Sequence, residues 1–180
     1  MEKQLSFFSA APQSQSTKST PKPLHASSKI IIYVDGAARG NPGEAGAGIY
    51  VAMDAKTLIK QGVYLGEKTN NQAEYLALLI AILLAQDMCK KHDIIKPHFS
   101  IFSDSELLVR QMSGAYKTKN ATLAHLKKII SSLLLTTANS FTHVTRDKNK
   151  IADKLANEGI DKKRSIPSNI AKILADYGVC

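Results

Sequence analysis

IIIYVDGAARGNPGEAGAG, residues Ile30 to Gly48, runs a β-forming stretch into a single aspartate, Asp35, and then into a series of glycines. Ile30 to Val34 has the composition of a buried strand. What a carboxylate does at its end decides the fold, and three answers are open. Phosphate-binding turns also place glycine after a strand, but their glycines open a helix. The order GNPGEAGAG fits neither G-x-G-x-x-G nor G-x-x-x-x-G-K. A flexible hairpin with a solvated aspartate is the second answer. The third is a metal ligand, and HFSIFSD, His98 to Asp104, favours it by also running apolar residues into a carboxylate. Adjacent strands delivering Asp35 and Asp104 to one sheet edge would set like charges side by side, which is unfavourable unless a cation lies between them.

Outward from this stretch, Gly48 to Met53 and Leu58 to Leu65 read as further strands. Their connectors are too short for a helical crossover, so the three strands form an antiparallel meander. NNQAEYLALLIAILLAQDMCKK, from Asn70, predicts a long helix with an Asn cap near its start. It is apolar over most of its girth, as suits a helix sandwiched against a sheet. His98 to Asp104 makes a fourth strand, SELLVRQM a short helix, Leu123 to Leu135 another, FTHVT a fifth strand and KNKIADKLANEGIDKK a closing helix. This is an α/β pattern, a mixed sheet with helices on its faces. Glu74 is the one acid early in the long helix, and Asp153 lies near the start of the last. Either alone would read as a solvated helix acid. Four carboxylates without a Cys or His set imply oxygen ligation, hence Mg²⁺ or Mn²⁺.

The remaining composition narrows the class. A 180-residue chain with 44% hydrophobic residues fits one domain, and a formal charge of +9 suggests a polyanionic partner. Cys89 and Cys180 are too few for a disulfide framework or a Cys-rich zinc site. No apolar run approaches the roughly 18 residues that span a bilayer, and the start lacks a signal pattern. The expectation is a cytoplasmic monomer without membrane attachment. Residues 1–28 read as a tail and linker, 29–162 as the domain, and 163–180 as an extension with a short helix.

YVDGAARGNPG, TNNQAEYLALL, FSDSELLVRQM and NKIADKLAN together resemble, in order and approximate spacing, the four motifs of the ribonuclease H type 1 family. The resemblance implies a five-stranded mixed sheet, three antiparallel strands plus two parallel, flanked by helices. It also implies endonucleolytic cleavage of the RNA strand of RNA/DNA hybrids, leaving 5′-phosphate and 3′-hydroxyl ends. Asp35, Glu74, Asp104 and Asp153 would bind two Mg²⁺ or Mn²⁺ ions, which in such sites lie ~3.5–4 Å apart on either side of the scissile phosphate. Hybrid contacts are implied for Gly36, Arg39, Gly40 and Asn41, where bare backbone can approach ribose hydroxyls. Asn70 and Asn71 are placed in the minor groove and Glu106 and Gln111 near it, and Lys117 and Lys119 are further candidates for gripping the substrate. Glu106 stands where many members carry Gln.

Two features depart from the best-known members. HVTRDKNKIAD lacks the glycine- and histidine-rich loop before the last aspartate and fits a subgroup with V-x-R-x-x-N-x-x-A-D. Arg146 is therefore the candidate phosphate ligand, and His143 reads as a strand residue. SGAYKTKNATLAHLKK carries lysines but no long basic protrusion. A catalytically silent hybrid-binding module and a DNA-cutting nuclease are the alternatives; the complete set of acids argues against the first, the Asn pair and glycine loop against the second. At the amino end, Gln4, Leu5, Ser6, Phe7 and Phe8 resemble the pentapeptide by which bacterial replication and repair proteins dock on the DNA sliding clamp. Phe7 stands there where Leu is commoner, and the linker would serve as a tether.

Overall fold

Strand β1 (Lys29–Gly40) turns through Asn41 and Pro42 into β2 (Gly43–Met53), which turns into β3 (Lys56–Lys68). Helix α1 (Asn70–Lys91), β4 (His98–Ser103), α2 (Glu106–Met112), α3 (Ala121–Leu134), β5 (Ala138–His143), a 3-10 turn (Arg146–Lys148), α4 (Lys150–Lys162) and α5 (Ser168–Asp176) follow. The structure is a computed structural model and describes residues 28–179. Gln4, Leu5, Phe7 and Phe8 lie outside the described residues.

The strands form one sheet in the order β3-β2-β1-β4-β5. The first three pair antiparallel, and β1, β4 and β5 are parallel, as the resemblance implies. One expectation is corrected. Asp35 does not end its strand, because β1 runs on to Gly40 and pairs with β2 throughout. The supposed loop is the far half of a long hairpin, closed by the Gly40–Gly43 pair, with Gly40 at φ +114°, a conformation that side chains rarely allow. What does end near Asp35 is the parallel ladder with β4, whose last pair is Tyr33 with Phe102.

Helix α1 supplies much of the core, with Leu76, Leu78, Leu79, Ile80 and Ile82 all at most 2% exposed. Each such side chain contributes about 1.5–3 kcal/mol relative to exposure. Contrary to the sequence expectation, α1 is long and apolar enough to cross a membrane by length and composition. Its mean hydropathy reaches 1.4, but 72% of that window is buried inside the domain, as in a core helix. Its cap is also corrected: Thr69, not an Asn, accepts from Gln72 N, and the Gln72 side chain returns a bond from Thr69 N. Ile170 and Leu174 of α5 are buried in the same core, so the segment after α4 packs onto the domain.

Candidate active site

Asp35 alternates along β1 with Val34, so their side chains point to opposite faces. Two residues past the end of the parallel ladder, β1 carries Asp35 and β4 has given way to Asp104. The crevice at the carboxyl ends of parallel strands is where α/β sheets place their sites. Two backbone contacts bring in the other acids. A Cβ on residue 36 would sit 2.1 Å from Glu74 N, so only glycine lets the start of α1 lie against β1. A Cβ on residue 48 would sit 1.9 Å from Ala152 O, so Gly48 does the same for α4 and brings Asp153 to the sheet.

Asp35, Glu74, Asp104 and Asp153 thereby line one cavity of about 340 Å³, together with Gly36, Asn70, Arg146 and Asn157. The Asp35 carboxyl is pushed up to about 7, first by burial and then by Asp104 and Asp153, with Arg146 opposing. Glu74 is likewise raised to about 7, mainly by burial, although the Ser105 hydroxyl that donates to it pulls the other way. Asp104 accepts from Asn149 Nδ2 at 2.6 Å, and Asp153 accepts from Arg146 at 2.6 Å.

The site therefore concentrates carboxylates whose charge the protein alone only partly offsets. Among the described residues, no three acidic, imidazole or thiol groups already stand together as an ion-holding cluster. Three of the four acids are instead engaged by side-chain donors, namely Ser105, Asn149 and Arg146. The all-oxygen set and the raised carboxyls nevertheless fit hard divalent cations, whose charge would favour the ionised forms.

The other sequence-predicted residues divide. Asn70 and Asn41 are brought together: Asn70 Oδ1 accepts from Ala38 N and Asn41 Oδ1 from Asn70 N, tying the hairpin tip to the start of α1. Asn71 is exposed beside them. The Arg39 guanidinium is held 2.6 Å from Asp161 of α4. Glu106 accepts from Arg110 at 2.7 Å and does not line the cavity. Gln111 is only 5% exposed; it accepts from Tyr75 and donates to Lys117 O, an internal brace beneath the exposed Lys117 and Lys119. His143 ends β5 with its Nε2 3.2 Å from the Asp104 carbonyl oxygen.

Sequence alone does not single out Ser105, Asn149 or Asn157. Ser105 also caps α2 through Leu108 N, a cue legible in its position just before a helix. Asn149 sits inside the N-x-x-A-D pattern, but only the fold shows its reach. It is 1% exposed, its Nδ2 bonds both Val34 O and Asp104, and its backbone carbonyl oxygen accepts from Asp153 N.

Comparison with known proteins places this geometry. Residues 33–159 match the family model described as reverse transcriptase-like. The chain is 40% identical over 136 residues to a ribonuclease HI of Halobacterium salinarum, covering 74% of this chain and 65% of that one. It is 32% identical over 158 residues to a bifunctional protein of Mycobacterium tuberculosis, covering 82% of this chain and 40% of that one. The chain thus spans less than two thirds of either relative. A crystal structure of LC11-RNase H1 in complex with an RNA/DNA hybrid superposes with a TM-score of 0.70 at 43% identity, over 74% of this chain and 97% of that one.

Proposed function

Because the chain belongs to the ribonuclease HI family, we propose that it hydrolyses the RNA strand of RNA/DNA hybrids at the carboxylate cavity. The observation that carries this reading is the convergence of Asp35, Glu74, Asp104 and Asp153 from four elements on one cavity. Its relative LC11-RNase H1, crystallised with such a hybrid, supports the substrate class.

Asp35, Glu74, Asp104 and Asp153 would hold two Mg²⁺ or Mn²⁺ ions. When bound, such ions lower the pKa of water and stabilise the charge developing on the leaving oxygen. The protein's own part is orientation. Asn149 fixes the Asp104 carboxylate and Ser105 fixes Glu74, so neither has to find its rotamer when substrate arrives. Arg146, mostly exposed and tied to Asp153, presents a guanidinium at the cavity to a non-bridging phosphate oxygen. The Asn41–Asn70 pair holds the hairpin tip so that backbone groups face the ribose side of a groove. Attack of water on phosphorus with loss of the 3′-oxygen leaves 5′-phosphate and 3′-hydroxyl ends.

The decisive experiment incubates the full chain with matched RNA/DNA, RNA/RNA and DNA/DNA duplexes in Mg²⁺ and in Mn²⁺ and maps the ends. Cleavage confined to the RNA of the hybrid is expected, and none from Asp35→Asn. Equal cutting of duplex DNA, or none of any substrate, would overturn the reading. We further propose that the protein works as a cytoplasmic monomer whose tail residues Gln4, Leu5, Phe7 and Phe8 dock on the sliding clamp. Titration of a purified clamp with the full protein tests the tail, and binding unchanged by Leu5→Ala with Phe8→Ala would refute it.

A further inference from the structure

Phe102, Tyr33 and Tyr50 are direct cross-strand partners on β4, β1 and β2, and Lys60 on β3 is the next partner in the row. Residues paired in this way share one face of a sheet. The Tyr33 and Phe102 rings stack with centroids 4.8 Å apart and planes 18° apart, and Tyr50 leans on Tyr33 at 6.2 Å. All three rings are half-buried and Lys60 is exposed.

Helix α4 covers this same face one step further along, where Gly48, two residues before Tyr50, meets Ala152. Its first turn walls the row, leaving a hollow of about 170 Å³ between Tyr33 and Tyr50 on one side and Lys148, Asn149 and Ile151 on the other. Ile151, 46% exposed, also borders a second hollow of about 400 Å³ where Lys60, Lys150, Lys154 and Arg164 gather. The acid there, Glu158, is engaged by Lys162 at 3.2 Å, by Arg164 at 3.8 Å and, at 4.0 Å, by Lys154 itself, three cations on one carboxylate. The result is a groove with aromatic rings on its floor and lysines along its edge, distinct from the carboxylate cavity. Asn149 borders this groove while its Nδ2 holds Asp104 of the other site.

We propose that this groove binds single-stranded nucleic acid, with bases stacked on Tyr50 and Tyr33 and phosphates against Lys60, Lys148 and Lys154. Rings presented by neighbouring strands of an open sheet, edged by basic side chains, are the arrangement on which unpaired bases stack. An acidic peptide would satisfy the lysines but has no use for the row of rings. Base-paired duplex keeps its own bases stacked and would leave the rings uncovered. The proposal does not depend on hybrid cleavage, since the groove and the cavity are separate surfaces.

The test measures fluorescence anisotropy of labelled single-stranded DNA and RNA oligomers of about 15 nucleotides, with the full chain in EDTA at several salt concentrations. Tyr50→Ser is expected to weaken binding about tenfold with the salt slope unchanged, whereas Lys60→Ser with Lys154→Ser lowers that slope. Cleavage of a blunt hybrid by either variant stays at the wild-type rate. Photocrosslinking of an oligomer carrying 5-iodouracil to the unaltered protein should label Tyr33, Tyr50 or Phe102. That arm stands even if Tyr50→Ser fails to fold. Equal binding by wild type and folded Tyr50→Ser, crosslinks confined to the carboxylate cavity, or tighter binding of poly-glutamate than of the oligomers would each overturn the proposal. A preference between DNA and RNA identifies the source of the strand.

Discussion

Gly36 and Glu74 meet backbone to backbone: a Cβ on residue 36 would lie 2.1 Å from Glu74 N and 2.2 Å from the Ala73 carbonyl carbon. The glycine after Asp35 is therefore a packing requirement that also brings two of the carboxylates into one cavity. Gly36→Ala forces β1 and α1 apart. The expected outcome is a loss of about 3 kcal/mol, read as a lower urea midpoint, together with impaired cleavage because Glu74 is displaced.

Metal-free stability should depend on pH through Asp35 and Glu74. Both folded values, about 7, lie above the ordinary 3.8 and 4.5, so between those limits the folded chain holds more protons than the unfolded one. Their contribution to stability is complete at the acid end and is lost as pH rises towards 7. Asp35→Asn removes one of these groups and relieves the repulsion. In EDTA, its melting temperature minus that of wild type should grow steadily from pH 4 to pH 7, reaching a few degrees. A difference that is flat with pH would contradict the assigned burial.

Arg146→Ala should leave the melting temperature almost unchanged, since the side chain is 78% exposed. Turnover is expected to fall about 100-fold, the scale of losing one charge-stabilising donor. His143→Ala should retain most activity. Steady-state kinetics of the two variants, side by side, decide between them.

Asn149→Ala removes the donor shared by Val34 O and Asp104. A buried acceptor left without its partner costs about 1–3 kcal/mol, so the urea midpoint should fall. Turnover should fall with it, while the dissociation constant for uncut hybrid, measured in Ca²⁺, stays close to wild type.

The order of elements and the four acids were legible because each sits in a strongly periodic or punctuated stretch. Strand endings were less so. Asp35 reads as a terminus because the apolar run stops there, yet β1 continues with β2 as its partner, a long-range pairing that no local pattern carries. Gln111 reads as a groove residue by position, but the fold gives its amide to Tyr75 and Lys117, a burial visible only when α1 and α2 are packed. The Asn149 bridge joins residues 115 positions apart and is likewise beyond any local window.

The carboxylates and Arg146 do not rest on equally durable ground. Asp35 belongs to the central strand, paired on both sides up to the residue just before it but one, and next to Val34, which is fully buried. Asp153 lies in the first turn of α4, which starts without a side-chain cap and follows an exposed 3-10 turn. Local opening of a protein begins in exposed turns such as this 3-10 turn and reaches central strands last. Arg146 can thus leave and rejoin the site with its turn, whereas Asp153 is held by the buried Asn149 and by Ala152 against Gly48. Amide hydrogen exchange should record this as fast exchange over residues 146–148 beside slow exchange at Ile32 and Val34. Departure of a cleaved strand would then be timed by the opening of this turn.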